Sequence, residues 1–138
     1  MMTAPLGAYV LRDATLTIEA TDYANQATSV VLTPEQATQT IKTMVPDGIV
    51  QDVDSAVWTC SINGIQDYTA AQGLARMLTD MAGDPLDIVF TPRNGTGNTK
   101  ATVTVVAKAV PFGGEQGSFT TFSVDLPVVG APVFSAVA

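Results

Sequence analysis

The chain has 138 residues, with thirteen acidic side chains against six basic ones, one cysteine and no histidine. That length fits one domain, able to bury roughly two thirds of its unfolded surface without a covalent staple. A net charge of −7 disfavours tight binding to nucleic acid, because affinity for phosphate comes mostly from Lys and Arg releasing counterions. The lack of histidine excludes any Ser-His-Asp or Cys-His nucleophile and removes the commonest general base and transition-metal ligand.

In chain order, Met1 to Leu11 carries no charged side chain, while Leu6, Tyr9, Val10 and Leu11 are apolar. Ala14 to Ala20 then alternates as a half-buried strand should, with Leu16, Ile18 and Ala20 opposite Thr15, Thr17 and Glu19. Ser29 to Leu32 continues the β signal. Thr33, Pro34, Glu35 and Gln36 resemble a helix start, and Ala37, Ile41, Met44 and Val45 fit a helical stripe. Thr38, Thr40 and Thr43 oppose that reading, since branched residues favour strands, and the segment is taken as a strand polar on both faces.

Val57 to Ile62 is a further strand, with Trp58, Cys60 and Ile62 sharing one face and Trp58 expected in the core. One helix is expected over Thr69 to Ala82. Thr69 and Gln72 form its capping box, Ala70, Leu74, Met77, Leu78 and Met81 its apolar stripe, and Gly83 and Pro85 its stop. Strands follow at Asp87 to Thr91 and Ala101 to Ala109, joined by a turn at Asn94 to Asn98. After the glycines at 113, 114 and 117, Ser118 to Leu126 sets Phe122, Val124 and Leu126 opposite Thr121, Ser123 and Asp125. Phe119 falls on the wrong face, as an exposed contact residue or beside a register-resetting bulge near Thr120.

From Leu126 to Ala138 charge is again absent, although Val128, Val129, Val133, Phe134 and Val137 are apolar. Chain ends are ordinarily solvated and charged, so a cover is expected for both, supplied either by their own domain or by a neighbouring copy. No apolar run approaches the roughly 20 residues that span a bilayer, and no basic region precedes a signal-length apolar stretch. The expectation is a soluble protein, intracellular when made. No internal repeat is evident.

Candidate chemistry is sparse. Cys60 lies mid-strand with no partner to lower its pKa and reads as a buried structural thiol. Asp47, Asp52 and Asp54 are the densest acids, but their spacing fails the EF-hand pattern, and they read as a solvated loop. The glycines match no phosphate loop, because Lys100 is followed by Ala101 rather than Ser or Thr.

Several dispersed signatures nevertheless occur in order. They are Trp58-Thr59-Cys60-Ser61-Ile62, then Gln66-Asp67 before the helix, then Phe90-Thr91-Pro92, then Phe112-Gly113-Gly114, Val124-Asp125-Leu126-Pro127 and Gly130-Ala131-Pro132. Together they resemble the major tail tube protein of long, non-contractile-tailed (siphovirus-type) bacteriophages, over roughly residues 25 to 135. The Thr-rich early strand departs from that pattern, and the N-terminal arm does not align with it.

The resemblance implies a mainly β (α+β) fold, a β-sandwich or half-barrel flanked by a single helix, in one domain with apolar arms at 1–11 and 126–138. It implies no enzyme and no cofactor, but a virion structural protein, made in the host bacterial cytoplasm and resident in the tail. Six copies would close into a ring, and stacked rings would form the hollow tube through which DNA is ejected. Tape-measure, tail-tip and tail-terminator proteins would be its partners, with no membrane involved. If each copy supplied four strands, a barrel of about 24 strands tilted about 40° would have a backbone diameter of about 48 Å, wide enough for a duplex. Six copies at −7 put about −42 charges on each ring, which repels phosphate. Thr38, Thr40 and Lys42 are the candidates for facing the lumen, against the alternative of a solvent-facing edge strand. Leu6, Tyr9, Leu11, Phe119, Val128, Val129, Val133 and Phe134 are the candidates for subunit contacts.

Two other classes compete. A capsid decoration or carbohydrate-binding sandwich would need an aromatic platform, for which Tyr23, Tyr68 and Phe112 are the candidates. An enzyme with paired carboxylates would have to use the acids near Asp52.

Overall fold

The computed structural model describes residues 3, 7–19, 21–69 and 73–137. The fold is mainly β, with antiparallel sheets and, among the described residues, one α-helix. Its strands are β1 (Thr15–Ile18), β2 (Thr21–Asp22), β3 (Ala27–Glu35), β4 (Thr38–Lys42), β5 (Ile49–Val53), β6 (Val57–Ile65), β7 (Pro85–Thr91), β8 (Thr99–Val106), β9 (Thr121–Pro127) and β10 (Val133–Ala136); the helix, α1, is Leu74–Asp80.

Two sheets face each other. One has the order β10-β8-β7-β1-β2 and the other β3-β6-β9. Register explains the core. Leu16 stands opposite Phe90 and Phe90 opposite Ala101, while Ile18, Ile88 and Val103 form the next rank. Across the sandwich, Val30, Ile62 and Val124 align, as do Leu32, Cys60 and Leu126. Alternation sends all of these inward and leaves Thr17, Thr102, Thr104, Ser123 and Asp125 on the outer faces. Leu74, Ala75 and Leu78 bring one side of α1 into the same core.

Beyond β9 the chain crosses between the sheets. Val128 bridges Val105, and the Val129 N–H donates to the Thr104 carbonyl at 2.7 Å, so one side of the sandwich is closed in the manner of a half-barrel. The C-terminal segment then returns as β10 along β8, with Phe134 opposite Ala101.

Gly64 is required where it stands. A Cβ there would overlap the Gln26 carbonyl oxygen and lie 3.0 Å from the Phe122 ring.

Several expectations need correction. The helix runs over 74–80 rather than 69–82, and Gly73 is its N-cap. A Cβ on Gly73 would overlap the Asp67 carbonyl, and Asp67 bends the chain before it by accepting the Thr69 N–H at 2.9 Å. Gln72 of the expected capping box and Ala70 of the expected stripe lie outside the described residues. Trp58 is half-buried rather than core, set edge-on to Phe134 with ring centroids 6.2 Å apart. Strand β8 stops at Val106, leaving Ala109 exposed, and β9 begins at Thr121 rather than Ser118. Phe119 therefore precedes the strand and is exposed in the loop, with no bulge needed.

Candidate functional site

The third sheet is a hairpin of two strands, β4 and β5, and every residue of both is exposed. Its register pairs Thr38 with Val53, Gln39 with Asp52, Thr40 with Gln51, Ile41 with Val50 and Lys42 with Ile49. Paired residues share a face. One face therefore carries Thr38, Thr40 and Lys42 beside Val53, Gln51 and Ile49, and the other carries Ile41, Val50, Gln39 and Asp52.

The turn is built from Pro46-Asp47-Gly48, with Asp47 at φ 64°, and the Thr43 N–H closes it by donating to the Gly48 carbonyl at 2.6 Å. At its base the Asp54 N–H donates to Ala37 O at 2.8 Å, and Gln36 Nε2 donates to Asp54 O at 3.1 Å. Met44, at the tip, is fully exposed. A two-stranded ribbon on its own is only marginally stable in water, and one showing Ile41, Ile49, Val50 and Val53 to solvent has the composition of a docking element.

The supposed acidic loop is part of this hairpin. Asp47 sits in its turn, Asp52 within β5, and Asp54 just after it. Among the described residues no group of three or more His, Cys, Asp or Glu converges as metal ligands would.

A second surface lies between the sheets, where they open near the β7–β8 turn. It is a groove of about 430 Å³ whose apolar lining includes Val30, Leu32, Phe90 and Phe134, with Tyr9 of the N-terminal arm at its side. Arg93 and Lys100 also line it, and no acidic side chain does. Arg93 stands 5.7 Å from the centre of the Tyr9 ring. Among the described residues the one ion pair is Arg76–Asp80, at 2.8 Å, so neither groove cation has a carboxylate partner there.

Of the residues expected to touch neighbours, Tyr9, Leu11, Phe119, Val129, Val133 and Phe134 are exposed. Val128 is half-buried against the core, and Leu6 lies outside the described residues. The C-terminal arm pairs its backbone with its own sheet, yet Val133 and Phe134 remain exposed, Phe134 at the mouth of the inter-sheet groove. Thr38, Thr40 and Lys42 share one face of the ribbon, as alternation requires.

Two of the dispersed signatures, Gln66-Asp67 and Phe112-Gly113-Gly114, meet in space. The Gln66 side chain donates to Gly113 O at 3.0 Å and to Thr121 O at 2.7 Å, and accepts the Gly113 N–H at 2.9 Å. Phe112 packs edge-on against Tyr68 at 4.7 Å, and the Tyr68 hydroxyl donates to Val110 O at 3.0 Å. These residues hold the long β8–β9 connection against β6. Tyr23 is buried away from them in the core, so the three candidate platform aromatics do not form one surface.

The Cys60 thiol is fully buried, and that burial pushes its pKa up to about 11, the opposite of an activated nucleophile. Comparison with protein-family models and with curated proteins finds no match.

Sequence reasoning missed β5 and hence the hairpin itself. The signal was present in Pro-Asp-Gly between Ile41 and Ile49, which is turn chemistry flanked by branched apolar residues.

Proposed function

We propose that this chain is a structural subunit of a bacteriophage tail tube, closing into six-membered rings that stack into a hollow conduit for DNA. The observation that carries the reading is the β4–β5 hairpin, bare on both faces and showing branched apolar side chains among polar ones on each. A monomer has no use for such an element, whereas a repeating assembly covers it in every copy.

The β-rich architecture with one helix among the described residues agrees with what the resemblance implies, and Gln66, Phe112 and Gly113 of the signatures help hold the β8–β9 connection. Free sheet edges at β2, β3, β9 and β10 are further sites where pairing with neighbours would remove exposed backbone. With the Ile41 and Val50 face turned to a neighbour, the face bearing Thr38, Thr40 and Lys42 is left to water, consistent with its candidacy for the bore. The tail of the virion is the location this reading assigns, with tape-measure, tail-tip and tail-terminator proteins as the expected partners.

Negative-stain electron microscopy of the purified chain at rising concentration tests it. Hollow rings or tubes with sixfold end views are the expected result. Monodisperse monomers at every concentration would overturn the reading.

A further inference from the structure

The hairpin and the groove are complementary in both polarity and charge. The hairpin face with Ile41 and Val50 also carries Asp52, and Asp47 stands at its tip. The groove presents Leu32, Phe90 and Phe134 together with Arg93 and Lys100. In a chain with thirteen acids and six bases, an apolar groove with two cations and no acid is a selective environment for an acidic, apolar insert.

We propose that the β4–β5 hairpin of one copy seats its Ile41, Val50 and Asp52 face in the inter-sheet groove of a second copy, with Asp52 or Asp47 meeting Lys100 and Arg93. The inference rests on the assembly reading and names the two surfaces that make it. Reach permits it, since the seven residues from Thr38 to Met44 extend about 23 Å beyond the end of β3. Made one way rather than reciprocally between two copies, the contact is heterologous. It therefore leaves one free hairpin and one free groove at each step, and propagates as a closed ring or an open stack rather than stopping at a dimer. Burying two aliphatic side chains against aromatic walls supplies the attraction, and the carboxylate selects the orientation.

Mixing two single variants of the full chain, Val50→Cys and Phe134→Cys, tests the contact under mild oxidation. Native Cys60 is silent in this experiment because it is fully buried with a raised pKa. The mixture is expected to give disulfide-linked heterodimers, with little cross-linking in either variant alone. A predominance of symmetric homodimers, or an intrachain bond in the doubly substituted chain, would overturn the proposal.

Charge exchange gives a second readout. Asp52→Lys and Lys100→Glu are each expected to weaken association about tenfold in sedimentation velocity, and together to restore most of it. Rings in the microscope without the cross-link or the charge rescue would defeat this contact and leave the tube reading standing. A wild-type chain that never associates would defeat both.

Discussion

Burial decides the behaviour of Cys60. Its thiol lies in the rank between Leu32 and Leu126 with no charged neighbour, and desolvation raises its pKa from 9.0 to about 11. A folded-state pKa above the unfolded one means that the folded chain holds the proton more tightly. The associated stability is fully present below pH 9 and is lost as pH rises toward 11. Denaturant midpoints should therefore fall across that window by an amount equivalent to about 1–3 kcal/mol, and Cys60→Ala should remove that part of the fall. In the native state the thiol should resist alkylation at pH 8 and react on unfolding.

Asp67 behaves in the opposite sense. Hydrogen bonds from the Thr69 side chain and backbone hold its pKa below the ordinary 3.8. Its contribution is present above that value and is lost as pH falls through the lower folded-state pKa. Asp67→Asn should flatten the acid limb of a stability profile below about pH 4, measured by circular dichroism.

At the scale of the element, the short helix shows how a local signal can be overruled. Leu74 and Leu78 are buried and Met77 packs on the core as the stripe requires, but the helix starts only after Gly73. Gly73 packs too closely on the Asp67 carbonyl for any side chain, and Gln26, 48 residues earlier in the chain, accepts the Leu74 N–H at 2.6 Å. No sequence window contains that cap. Gln26→Ala should destabilise the fold by about 1 kcal/mol in urea melts, through loss of a helix-terminal hydrogen bond. Gly73→Ala should cost more, about 1–3 kcal/mol, because the backbone must move.

The strands were far more legible. Alternation identified the inward faces of β1, β8 and β9 residue by residue, since period two survives whatever the sheets pack against. Trp58 was misplaced because facing inward near a strand end is not the same as being covered; its neighbour Phe134 belongs to an edge strand and is itself 58% exposed. The hairpin escaped because both of its faces mix polar and apolar residues, so no single-face pattern exists there to find.

For the whole molecule, the surfaces proposed for assembly are separable from the core that marks the fold. None of the core residues lies in β4 or β5. The ribbon is also joined to the body at a narrow neck, where the Asp54 N–H donates to the Ala37 carbonyl. Replacing residues 38–53 by a short Gly-containing turn should leave the thermal midpoint within a few degrees of wild type, because few buried contacts are lost. Association should vanish in the same variant, as read by sedimentation velocity at concentrations where the intact chain forms larger species. A large loss of stability on deletion would show that the ribbon is held by its own body, and the assembly reading would lose its principal support. Salt offers an independent check. Each copy carries −7, so approach of one copy to another is opposed over a Debye length of about 10 Å at 0.1 M salt, whereas the hairpin-to-groove contact itself pairs opposite charges at short range. Screening should first accelerate association as long-range repulsion weakens. At higher salt the aspartate-to-cation contacts weaken while apolar burial persists, so the affinity should level off rather than collapse, a profile that an assembly held by charge alone would not give.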